Sequence, residues 1–291
     1  MRLAILLVLA WSSVAHADSV TVGLFAPTAP FPSTSARVDL ATRLGEHVGK
    51  AMGKTGSGKV FARGTDFAAA VRKGEVSVAL VDAAYLAVAG GNYTVIAAAV
   101  RGGDSSHGWQ LVTRGIDRLS GLKGKRVLVP GIGGRESELV LNVLLGGEVP
   151  KDFFAKIETA PDTVSALAAL GLGKAEAAVV PSGVELPAGA KVLLQLPALS
   201  GPVLVTYASV SASQRQAIAA AVATFKGDGT VSGFRTADAE AVKQVARRFV
   251  VPAKRGPLAV PAIRLLVGDL VEGRELAIER TPVTAFAAKS R

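Results

Sequence analysis

Cysteine is absent from all 291 residues. That single absence removes disulfides, thiolate nucleophiles, zinc knuckles, iron–sulfur ligation and a lipid-anchored cysteine. Histidine is scarce as well: the chain has three, one of them His16 near the N-terminus. Two or three imidazoles are poor material for a histidine metal cluster or a Ser-His-Asp relay, and no G-x-S-x-G elbow is present. An enzyme is therefore not expected, and neither a metal nor another cofactor. Charged residues make up 19% against 49% hydrophobic, a balance that excludes long disordered stretches. Acidic residues are the scarcer sign, 23 against 33 basic, for a formal net charge of +10. The basic clusters Lys123-Lys125-Arg126, Arg247-Arg248 and Lys254-Arg255 lack the interleaved aromatics on which bases stack, so nucleic acid is not an expected partner.

The N-terminus has the three parts of an export signal. Arg2 precedes the apolar run Leu3 to Ala10, and the small residues Ala15 and Ala17 stand where a signal peptidase reads them. The run is too short for the roughly 20 apolar residues that span a bilayer. Residues 1–17 are expected to be removed after Ala17, giving a periplasmic protein that starts at Asp18 and keeps Trp109 as its only tryptophan. The remaining length suits two folding units.

Val20 to Phe25 alternates as a strand does, and a Pro-rich loop (Pro27, Pro30, Pro32) follows, with possible helix caps at Ser33, Thr34 and Ser35. Val38, Leu40, Ala41, Leu44, Val48 and Met52 recur at helical spacing up to Gly53. A strand near Lys59 to Ala62, a helix capped by Thr65 and closed by Gly74, and a β-rich run Val76 to Val81 continue the α/β alternation. A similar unit returns with a helix over 163–170, Gly173, and a strand over 177–180. Further strands are expected at 109–114, 126–129, 156–160 and 203–207, and helices at 135–145, 211–225 and 237–249. The chain is expected to pass between two lobes near Gly102 to Gly108 and again near Leu199 to Pro202, where Gly and Pro supply breaks. The last forty residues, with Pro252, Pro257, Pro261 and Pro282, read as a strapped tail.

Two glycine-rich stretches resemble phosphate loops. Gly53 to Val60 nearly spells a P-loop, but Val60 stands where the magnesium-binding hydroxyl belongs, and the stretch ends a helix instead of opening one. It reads as a flexible connector. Pro130-Gly131-Ile132-Gly133-Gly134 does follow a strand and open a helix, so its amides could face an anion; a tight turn needs the same glycines for steric reasons alone. The dinucleotide fingerprint fails because its third glycine falls on Glu136. His107 and Trp109 read either as lining of a cleft or as partly buried core. His47 reads as a solvated helix residue, and Arg135 as either an oxyanion donor or a solvated first-turn residue.

Taken in order, these pieces resemble the exported substrate-binding proteins of ABC importers, in particular the phosphonate/phosphate-binding group. The best-matching stretch runs from Gly64 through Asp82 to Tyr85, supported by Val22 to Pro27, Leu119 to Val127 and the unit at 163–180. The resemblance implies an α/β, two-lobed, type 2 periplasmic binding fold with a hinge. It assigns residues 18–103 and 202–250 to one lobe, 104–201 to the other, and 251–291 to a tail strapped to the first. It also implies a monomer that works with transporter membrane subunits or another envelope component and captures a small molecule. Where phosphonate-binding members carry an S-T-S-G turn, this chain has Ile132-Gly133-Gly134-Arg135-Glu136-Ser137. Two ligand classes follow. A polar anion would be gripped by the Gly131 to Gly134 amides together with Tyr85 and Thr28, and the matching stretch adds Asp82 to the expected ligand-binding residues. A lipid or sterol would instead lie among Phe25, Phe31, Tyr85, Trp109 and Ile132, in keeping with the mean hydropathy of +0.39.

Overall fold

The computed structural model describes residues 19–250. The expected signal segment and the tail from 251 lie outside the described residues. Two separate sheets organise the chain. The first begins with β1 (Ser19–Phe25), crosses through α1 (Thr34–Ala51) to β2 (Thr55–Val60), and through α2 (Gly64–Arg72) to β3 (Val78–Asp82), both strands lying parallel to β1. Then α3 (Ala83–Ala89) leads to β4 (Thr94–Val100). The second sheet holds β5 (Ser106–Arg114), β6 (Arg126–Pro130), β7 (Lys156–Ala160), β8 (Ala177–Pro181) and β9 (Ala190–Ser200). Between β6 and β7 lies α4, one α-turn (Glu136–Glu138) that continues as π-helix (Leu139–Leu144), and α5 (Thr163–Gly171) joins β7 to β8. The chain re-enters the first sheet with β10 (Pro202–Thr206), antiparallel to β3 and β4, and after α6 (Ala212–Val222) adds β11 (Gly233–Thr236) at its edge. The helix α7 (Ala239–Arg248) follows.

Alternation along each strand feeds two cores per sheet. In the first sheet Val20, Val22, Leu24, Val78 and Leu80 face α1 and α6, while Phe25, Ala79 and Val81 face Phe67 of α2 and Tyr85 of α3. In the second, Val127, Val129, Leu111 and Val179 pack on α4, and Leu128, Val112, Ala178 and Val180 on α5. Although α7 follows the first sheet, it gives Val242 to a core of that sheet and Val245, with Phe249 just beyond it, to the second.

Several local expectations are corrected. Gly53 to Val60 is not a flexible connector: from Thr55 onward it is β2, paired residue for residue with β1. Its glycines serve close packing. A Cβ on Gly56 would lie 1.9 Å from the Gly45 carbonyl oxygen of α1, and one on Gly58 would lie 2.1 Å from that of Ala41. The helix backbone rests directly on the strand. Thr65 is not a cap, since α2 starts a residue earlier with Arg63 in the cap position and no side-chain cap bond. His47 is half-buried, its Nε2 2.8 Å from the Ala221 carbonyl and its ring edge-on to Phe225, so it joins α1 to α6.

Candidate functional site

The chain leaves the first sheet after Val100, enters the second at Ser106, and returns between Ser200 and Pro202. The cleft between the two halves lies beside these crossings, lined by the loop after β1 and by the junction of β3 with α3. Three contacts hold its walls together. The Thr163 hydroxyl donates to the Thr28 carbonyl at 3.0 Å. Arg37 of α1 meets Asp162, the N-cap of α5, at 2.6 Å. Gly133 faces Tyr85 so closely that a Cβ there would come within 2.8 Å of the ring.

The residues singled out from sequence are distributed over this region. Thr28, Asp82 and Trp109 line one small cavity of about 30 Å³, together with Arg101 and His107 from the first crossing and Leu199 to Pro202 from the second. Phe31 belongs to a core and also walls an open groove of about 850 Å³. That groove runs between Pro30–Ala36 on one side and the α5 face with residues 183–187 on the other. Phe25 packs edge-on to Tyr85, with centroids 4.9 Å apart; both are core residues, and Tyr85 alone of the two reaches Gly133. Ile132 is fully buried in the second core. Trp109, 4% exposed, is core and cavity lining at once. Arg101, Leu167 and Leu186 were not singled out, because a groove formed by distant segments leaves no local spacing to read.

The glycine loop after β6 has positive φ at Gly133, Gly134 and Arg135, which turns successive amides to one side as an anion nest does. Those amides are already engaged: Glu136 Oε1 accepts from Ile132 N–H and from Gly134 N–H, each at 3.0 Å. The chain's own carboxylate fills the nest. Arg135 does not reach into the cleft either. Its Nη2 donates to the Phe249 carbonyl at 3.2 Å, its guanidinium stacks on the Phe249 ring, and its Nε meets Glu138.

Asp82 closes β3 and is 1% exposed. Its Oδ2 accepts the Thr28 N–H at 2.8 Å, while Oδ1 has no hydrogen-bond partner. Burial raises its pKa to about 7, against the lowering effect of Thr28 and the Arg37 charge. Asp162 goes the other way: burial pushes it up, but the Ser165 hydrogen bonds and Arg37 outweigh that and hold it below the ordinary carboxylate value. Burial, helped by Arg101 and opposed by Asp104, lowers the pKa of His107. Among the described residues no group of His, Asp and Glu is arranged to hold a metal ion, and no helix is long and apolar enough to cross a membrane.

Two sheets joined by paired crossings, with a cleft beside them, are the frame that the site offers. A family model described as the periplasmic phosphonate substrate-binding protein of ABC transporters matches residues 28–255. The chain belongs to this family, whose members are periplasmic binding proteins and not enzymes. Solved structures agree on the type 2 periplasmic binding fold. XAC2383 from Xanthomonas citri bound to ATP superposes with a TM-score of 0.63 at 12% identity, covering 79% of this chain and 96% of that one. The binding component PA3383 of an ABC phosphonate transporter from Pseudomonas aeruginosa gives 0.63 at 14%, over 79% and 85%. PhnD1 from Prochlorococcus marinus, in complex with methylphosphonate, gives 0.62 at 12%, over 79% and 96%. A search of curated proteins finds no match to the sequence.

Proposed function

We propose that this protein is an exported receptor that captures one small solute between two lobes, 18–103 with 202–250 and 104–201, and delivers it as a monomer to the membrane subunits of an ABC importer. Membership of the family supports the importer role, and the signal-like residues 1–17 support a periplasmic location. The observation that carries the site assignment is the convergence of Thr28, Asp82, Trp109 and both crossing segments on one cavity. A solute held there touches both halves and the hinge, so its binding energy favours the closed form over the open one.

The geometry favours a ligand other than phosphonate. An oxyanion needs donors, and the amides of Ile132 and Gly134 are bound to Glu136. A ligand with an apolar body is favoured by the groove, whose walls include Phe31, Leu167 and Leu186. Trp109 emission tests the site: in protein starting at Asp18, a solute seated in the cavity that the indole lines is expected to shift it by direct contact. Binding proven by calorimetry with unchanged emission would remove Trp109 and its cavity from the site.

A further inference from the structure

The two ends of the cleft differ in spare hydrogen-bonding capacity. At the glycine loop two amides point to one side, but both are occupied by Glu136 Oε1. At the opposite wall Asp82 presents an acceptor with nothing to accept: Oδ2 is held by Thr28, Oδ1 has no partner, and the side chain is almost wholly buried. A carboxylate oxygen taken out of water without a donor is costly, and a donor brought by a ligand removes that cost. The cavity beside it, about 30 Å³, has room for a group the size of water or ammonium. It adjoins the apolar groove of about 850 Å³, the two sharing Pro30, Arg101 and Thr230 as walls.

We propose that Asp82 receives the ammonium group of a small organic cation whose apolar body lies in the groove beyond Arg101, so that the protein takes an amine and not an oxyanion. The proposal rests on the cleft being the solute site. A charged donor suits Asp82 better than a neutral one, because a hydrogen bond between opposite charges is about twice as strong as a neutral one. Trp109 lines the same cavity, and an indole attracts a cation placed over its face. Arg101 is tied to the Ser182 carbonyl at 3.0 Å, which engages its guanidinium with the second half of the molecule.

The test uses protein from Asp18 to Arg291 and two probes of equal chain length, n-hexylammonium and n-hexylphosphonate, titrated by calorimetry near neutral pH. The ammonium is expected to bind and the phosphonate not. Asp82→Asn keeps the shape and an acceptor for Thr28 N–H, and is expected to weaken ammonium binding at least tenfold while circular dichroism shows an intact fold. A second readout needs no variant. Arg37 acts on Asp82 from α1, Arg101 and His107 line the same cavity from the first crossing, and with its pKa near 7 the carboxyl is partly protonated at neutrality. Ammonium binding is therefore expected to expel a fraction of a proton, making the binding enthalpy depend on the buffer. Unchanged affinity in Asp82→Asn, or no proton release, overturns the proposal. So does binding of the phosphonate alone, which leaves the receptor reading intact. Failure of both probes overturns it too; a non-cationic solute retained by the native protein would then preserve the receptor reading, and no solute at all would remove both.

Discussion

Two aspartates on opposite walls of the cleft carry opposite pH signatures. The Asp82 carboxyl is raised to about 7 by burial, so between its ordinary value and that pH the folded protein holds a proton the unfolded chain has released. Stability is lost as pH rises through this window, and Asp82→Asn is expected to raise the thermal midpoint at pH 8 with little change at pH 4. For Asp162 the lowered pKa gives stability that is present above its unfolded value and lost as pH falls through the folded one. Asp162→Asn should therefore cost stability at pH 7 and nothing at low pH, although asparagine still caps α5. Glu136→Ala removes two hydrogen bonds from a carboxylate and is expected to cost about 1–2 kcal/mol, measured by urea unfolding. If Glu136 is what excludes oxyanions, the variant should bind methylphosphonate more tightly than the natural protein does; a variant that gains no affinity leaves the loop closed for another reason. At this scale the sequence was only partly legible. Trp109 was visible from its place beside a crossing and Thr28 and Asp82 only through the family resemblance, whereas the reach of Glu136 back onto Ile132 and Gly134 depends on Arg135 adopting a left-handed φ of 59°, which no propensity announces.

Elements were legible where hydrophobic period and caps agreed. The α1 helix with Ser33 as its cap, the β7 strand and the unit formed by α5 and β8 all stand where alternation, helical spacing and Gly173 place them. The β2 strand was legible only at its end: a strand was expected near Lys59 to Ala62, but it spans Thr55–Val60, and Thr55-Gly56-Ser57-Gly58 has none of the bulky residues that mark strands. Its order comes from a partner: glycines on β2 face Gly45 and Gly49 of α1, and the two backbones meet where side chains would otherwise stand. Gly56→Ala and Gly58→Ala are each expected to lose upward of about 2 kcal/mol, seen as a lower urea midpoint with an unchanged slope. A loss of a few tenths would show that α1 shifts freely and that the contact is incidental. The β9 strand escaped for a different reason. It is an edge of the second sheet with many exposed positions, so its burial signal is weak, and α3 is too short to show a period.

At the scale of the whole molecule, the two places where the chain changes sheets carry Gly102-Gly103 and Gly201-Pro202, breaks that could be read directly. What could not be read is how the halves meet, since Arg37 and Asp162, Thr28 and Thr163, and Tyr85 and Gly133 are each brought together only by the fold. Gly133→Leu puts a side chain where Tyr85 stands and is expected to hold the halves apart, increasing the radius of gyration in small-angle scattering. The central claim is that a single small solute is enclosed between these halves. Native mass spectrometry of the protein purified from its own envelope tests it most directly. The account predicts a population heavier than the chain by one small molecule, released when the protein unfolds; the bare chain mass throughout, together with no mass gain after incubation with an envelope extract, would contradict it.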